Sequence, residues 1–149
     1  MLSDMEYEIC RTQGMLYETA ADQQYDIHDF SNQYMRSRFC NKRMDTLYSR
    51  YQMADPEEIM DFLDVQNVKK LNGYFDRNIA FWIGFTYRQL WFETAVASKN
   101  LVTIIPFQQM LAYYPGMHTI DEDQASEIIA QNHHLSIRKT DIQNQQIYG

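Results

Sequence analysis

Residues 78–97 read NIAFWIGFTYRQLWFETAVA, the most apolar and most aromatic run in the chain, and the reading of this run decides the fold. Placed on a helix of about 3.6 residues per turn, Ile79, Ile83, Tyr87 and Leu90 form one stripe. Phe81, Phe85, Phe92 and Val96 form a second on roughly the opposite side. A helix that is apolar on two sides has to be covered on both, so it belongs in the middle of a domain. Ala80, Gly84 and Ala95 fall between the stripes, where small side chains let a neighbouring backbone come close. Gly84 costs about 1 kcal/mol of helix propensity against Ala, which close packing offsets.

The competing reading is a membrane span, which needs about 20 consecutive, predominantly apolar residues. Arg88, Gln89 and Glu93 interrupt the run and Arg77 precedes it. Charges in lipid are expensive, so a core helix is the expectation. Arg88 then falls beside the small-residue strip with its stem covered, and a covered guanidinium needs a partner. Two readings stand. One is a structural ion pair with Asp45, Asp61 or Asp64; the other is a ligand-facing arginine in a pocket walled by Tyr87 and Trp91.

Around this helix, 149 residues suffice for one domain with a real core. Eleven Tyr and nine Met supply large and adaptable packing groups. Start signals recur: a Ser3/Glu6 capping box opening a helix over residues 4–22, Asp26 opening one that ends near Phe39, and Asp55-Pro56-Glu57-Glu58 opening one that ends near Gln66. Asp76 caps the central helix, Ser98-Lys99-Asn100 closes it, and Asp121 caps the last clear helix. Residues 42–51 show Met44, Leu47, Tyr48 and Tyr51 at helical spacing. Residues 101–105 suit a strand or a tight helical turn, Pro106 opens a short helix through Tyr113, and Tyr114-Pro115-Gly116 reads as a turn. The expectation is an all-α fold: a single compact domain over residues 1–132, about six or seven helices around one buried aromatic helix. Residues 133–149 read as a loosely attached polar tail.

The net charge of −7 argues against nucleic acid as the main ligand. The charge is blocky: seven acids and one Arg in residues 1–29, five bases against Asp45 in residues 30–50, and five acids with no base in residues 51–68. Alternation of this kind suits complementary helix surfaces or solvated faces. The opening MLSDMEYEI carries acids where a secretory leader carries basic residues, so the expectation is a cytoplasmic chain with Cys10 and Cys40 as free thiols.

No phosphate loop, nucleophile elbow, zinc spacing or calcium loop is present in the sequence, and no cofactor is expected. His133 and His134 are adjacent and diverge on any regular element, which disfavours a metal site. His118, with Tyr113, Tyr114 and Asp121 nearby, suits either a general base or a hydrogen bond tying down a loop. Tyr48-Ser49-Arg50-Tyr51-Gln52 combines aromatic and guanidinium groups in the manner of a nucleotide pocket, a protein hot spot, or a helix end pinned by packing.

Three strings taken together carry a resemblance: residues 45–52 with Ala54-Asp55 following, residues 82–88 (WIGFTYR) and residues 114–121 (YPGMHTID). With them the chain resembles a family of small, all-helical, uncharacterised bacterial proteins, some encoded beside toxin genes and regarded as antitoxin-like or accessory. The resemblance covers residues 30–130 and leaves the first helix and the tail outside. It implies a protein that acts by binding another protein, and it brings no catalytic residue and no cofactor.

The leading expectation is therefore a non-enzymatic interaction module, an antitoxin, immunity or inhibitor protein that blocks a partner such as a toxin or nuclease. It involves no membrane and no direct nucleic-acid binding, and the acidic first helix and the tail are its candidate contact elements. A variant is an acidic nucleic-acid mimic of phage origin, with Glu6, Glu8, Glu57, Glu58, Asp61 and Asp64 sharing one face. The rival class is an enzyme or small-ligand sensor that gathers Arg50, Tyr51, Arg88 and His118 around an aromatic pocket. A transcription factor comes third and would need residues 36–50 as a basic recognition helix.

Overall fold

The computed structural model describes residues 1–63 and 67–138. Among them are seven α-helices: α1 Asp4–Asp22, α2 Ile27–Arg36, α3 Pro56–Phe62, α4 Arg77–Thr94, α5 Ser98–Ile104, α6 Phe107–Met117 and α7 Glu122–Asn132. A π-helical turn, Cys40–Met44, and a 3-10 turn, Arg50–Met53, bridge α2 and α3. The fold is all-α, and the only ladder pairing among the described residues is an isolated antiparallel bridge between Tyr25 and Lys70.

Helix starts follow the side chains that cap them. Ser3 accepts from the Glu6 amide while Glu6 accepts from the Ser3 amide, closing the box at α1. Asp26, Asp55, Asp76 and Asp121 cap α2, α3, α4 and α7. Each satisfies amides that the first helical turn leaves without partners.

α4 is the interior helix, and α1 is its main neighbour. The two run antiparallel: Tyr7 packs edge-on to Phe85, while Arg77 at the start of α4 grips Glu18 and Asp22 at the end of α1. Two glycines let the backbones approach. A Cβ on Gly84 would meet the Gln13 carbonyl oxygen and the Tyr17 ring at 2.7 Å, and one on Gly14 would meet the Phe81 ring at 2.8 Å. On the far side, Ile83, Tyr87 and Leu90 join Phe30, Tyr34, Met35, Leu101 and Ile129 in the core. The buried tyrosines are hydrogen-bonded as well as packed: Tyr17 pairs with Ser31, Tyr34 donates to Gln13, and Tyr87 donates to the Ile105 carbonyl. That is what a buried phenol requires.

Several expectations are corrected. α4 ends at Thr94, earlier than Ser98, because Ala95 turns into the left-handed region at φ 58° and caps it. Ala95 is therefore not a packing notch. Residues 101–105 belong to helix α5 and its cap, with no strand. α6 continues through Pro115 and Gly116 to Met117. Proline is cheapest in a first turn, and here it forgoes the bond to the Leu111 carbonyl; Tyr114, packed on Trp82 and His118, holds that turn in place. α3 stops at Phe62; the expected end at Gln66, and Asp64 with it, lie outside the described residues.

Residues 42–51 are not one helix. The chain leaves the π turn at Asp45, and the Gln52 side chain holds the loop by donating to the Met44 and Thr46 carbonyls and accepting from the Ser49 amide. Leu47 and Tyr48 consequently face solvent at 76% and 82% exposure, although spacing placed them inward. At the other end, residues 133–138 are tied to the domain: Leu135 donates to the Ala130 carbonyl, Arg138 donates to that of Glu93, and Tyr113 bonds His133. Residues 139–149 lie outside the described residues.

Candidate functional site

Arg88 is fully buried. α4 delivers its guanidinium to the seam between α1, the π turn and α5, where it makes six hydrogen bonds. Nε and Nη2 donate to Gln13 Oε1 at 3.0 and 2.8 Å, and Nη1 donates to Asp45 Oδ1 at 2.7 Å and to the Met44 carbonyl at 3.3 Å. Nη2 also reaches Cys40 Sγ and Ser98 Oγ at 3.4 and 3.3 Å. The Trp91 ring covers the group at 5.2 Å. Asp45 accepts from the Ser98 hydroxyl at 2.6 Å and the Ser98 amide at 2.7 Å, so it also caps α5, whose own cap residue has no side-chain bond. Burial works against the guanidinium charge, but the Asp45 carboxylate and the acceptors around the group outweigh it and hold Arg88 protonated. Of the expected partners, Asp45 is the one the structure pairs with Arg88. With its donors spent inside the fold, Arg88 has none to offer a ligand.

The other three members of the expected pocket are elsewhere. Arg50 and Tyr51 do come together: Arg50 Nη2 donates to the Tyr51 hydroxyl at 3.2 Å, and its guanidinium lies 4.8 Å from the Tyr51 ring. That ring is wedged edge-on between Phe39 and Phe62, at 5.3 and 5.2 Å, pinning the 3-10 turn to α3. His118, exposed at the end of α6, bonds the Tyr114 carbonyl through Nδ1 at 2.6 Å and rests on the Tyr114 ring. Its role here is to finish the helix.

The expected acidic face is split. Glu57, Glu58 and Asp61 are exposed together on α3, one turn apart. Glu6 and Glu8, two residues apart on α1, point about 160° from one another. Glu8 pairs with Arg11, and Glu6 is held in the capping box.

Spacing did not reveal an open groove of about 1150 Å³ at the end of α4. Its walls are the start of α1 (Met1, Met5, Glu6, Ile9), the loop 45–48, the last turn of α4 (Trp91, Phe92, Glu93), and Asp123 and Glu127 of α7 with Ile137 and Arg138. At its edge α7 is locked to α4 by a polar cluster. Gln89 Nε2 donates to Glu93 Oε1 and to Asp123 Oδ1, both at 2.9 Å, and Ser126 Oγ donates to Glu93 Oε2 at 2.6 Å. Burial pushes the Glu93 carboxyl above its usual value, against the bonds from Ser126 and Gln89 that favour the ionised form. Burial likewise raises the Cys10 and Cys40 thiols, which makes both poor nucleophiles. The one available signal for the cluster was Glu93 itself, an acid inside the aromatic run; nothing in the sequence marked Gln13 or Ser126.

No group of His, Cys, Asp and Glu among the described residues has the arrangement of a metal site, and no helix among them is long and apolar enough to cross a membrane. Compared with known proteins, the chain matches no family model, no curated protein and no solved structure.

Proposed function

We propose that the protein is a non-enzymatic binder of the antitoxin, immunity or inhibitor kind, acting by seating on another protein and blocking it. The observation that carries this reading is the rim of the groove. Met1, Met5, Leu47 and Tyr48 stand there at 84%, 58%, 76% and 82% exposure, gathered round one concavity. Exposed apolar side chains scattered singly mean little, whereas a cluster of them rimmed by charge marks an interaction surface. Tyr gives large contact area at low entropic cost, and Met gives contact area that adapts to its partner. The polar groups with catalytic potential support the same reading, since Arg88 and His118 are engaged in holding the fold.

α1 packs along the interior helix, so it contributes only its first turns to this surface and cannot be removed as a separate contact arm. The test is affinity purification of the full chain from cells that express it natively, followed by size-exclusion chromatography and an assay of the retained protein. A partner held at fixed stoichiometry, whose own activity falls in the complex, is the expected result. A chain that elutes alone, or a partner whose activity is unchanged in the complex, contradicts the reading.

A further inference from the structure

Resting on that reading, we propose that the groove at the end of α4 receives a basic amphipathic helix of the partner, with apolar side chains seated between Tyr48 and Trp91. Three observations lead there. The first is size. At about 1150 Å³ the groove exceeds the ~300–1,000 Å³ typical of small-molecule sites. An open trough with Met5, Leu47, Tyr48, Trp91 and Phe92 along its sides suits the apolar face of a helix laid into it.

The second is charge. The lining carries Glu6, Asp45, Glu93, Asp123 and Glu127 against Arg138 and the Met1 amino group, which acts on Glu93; Asp45 is neutralised from below by Arg88, and the balance stays acidic. An acidic helix would meet repulsion here, while lysines or arginines flanking an apolar stripe would meet carboxylates.

The third is the end of α4 itself. The carbonyl end of a helix carries partial negative charge, and the last turn of α4 has no basic residue to answer it. The opposite dipole end, at the start of α1, is already answered by Asp4 and Glu6. Both the side chains and the backbone therefore favour a cationic segment.

The experiment uses the full chain and two fluorescein-labelled 18-residue amphipathic peptides with the same leucine face, one with lysine and one with glutamate on its polar face, read by fluorescence anisotropy. The lysine peptide is expected to bind at least ~10-fold more tightly than the glutamate peptide in 50 mM salt, and the preference should shrink several-fold in 500 mM salt. Leu47→Ser with Tyr48→Ser should weaken the lysine peptide by ~10-fold or more while leaving the melting temperature unchanged, because both side chains are exposed. Equal affinity for the two peptides, no binding of either, or undiminished binding by the double variant overturns the proposal. The two readings also fail separately. A natural partner that co-purifies equally with wild type and double variant removes the groove but keeps the binder; absence of any partner removes the binder whatever the peptides do.

Discussion

At Arg88 the chain has placed a charge where a leucine would pack, and the surrounding residues make that arrangement hold. Gln13 Oε1 takes three hydrogen bonds, two from Arg88 and one from Tyr34, while Gln13 Nε2 donates to the Gly84 carbonyl. Among the described residues no buried side-chain nitrogen or oxygen lacks a partner. Breaking such a network from one side is costlier than replacing it whole, because a lone buried carboxylate is left behind. Arg88→Met is expected to lower unfolding stability by about 3–5 kcal/mol in urea denaturation. Adding Asp45→Asn should restore part of that loss, the non-additivity expected of groups in contact. A single variant within about 0.5 kcal/mol of wild type would mean that the network contributes little. The sequence showed that Arg88 needs a partner and included Asp45 among three acids. It could not choose between them, because the choice depends on how the loop after the π turn folds back. Gln13 was not legible at all: a glutamine on a helix face looks solvated until tertiary packing covers it.

Among the elements, the α1–α4 pair sets the geometry of everything else. Gly84 had a legible purpose, close approach of a neighbouring backbone, but the neighbour and the matching Gly14 emerged only from packing. Gly84→Ala gains about 1 kcal/mol in helix propensity and loses more to a contact at 2.7 Å with backbone and ring that cannot both withdraw. Overpacking of this sort costs about 1–3 kcal/mol. The expected net result is a lower melting temperature, by a few degrees for a chain of this size; a higher one would show that the helices can separate without penalty. The five capped starts were readable because a cap is a local event between residues two or three apart. The helix expected at 42–51 and the turn expected at 114–116 failed for the opposite reason. Asp45 is drawn inward by Arg88 and Ser98, and Tyr114 is held against Trp82, so long-range contacts overrode local pattern.

On the scale of the molecule, the buried carboxylate between α4 and α7 couples stability to pH. Glu93 has its carboxyl raised by burial, so the folded chain holds that proton more tightly than the unfolded chain does. Stability from this group is fully present below the unfolded value of about 4.3 and is lost as pH rises through the raised folded value. Glu93→Gln removes the titration while keeping groups able to bond Gln89 and Ser126. Its melting temperature should match wild type near pH 4 and equal or exceed it at pH 7.5. A variant that falls further behind wild type as pH rises would reverse the sign of the coupling. The same cluster anchors one wall of the groove, so the fold's interior and the proposed binding surface meet at the end of α4.

That division, an interior that only supports and a surface that binds, is tested most directly by hydrogen–deuterium exchange of the full chain with and without saturating lysine-faced peptide. Added protection is expected at residues 1–9, 45–48 and 91–95, with the Arg50–Tyr51–Phe62 corner and the His118 end of α6 unchanged. Protection confined to that corner or to the His118 end would place the binding surface elsewhere and contradict the account.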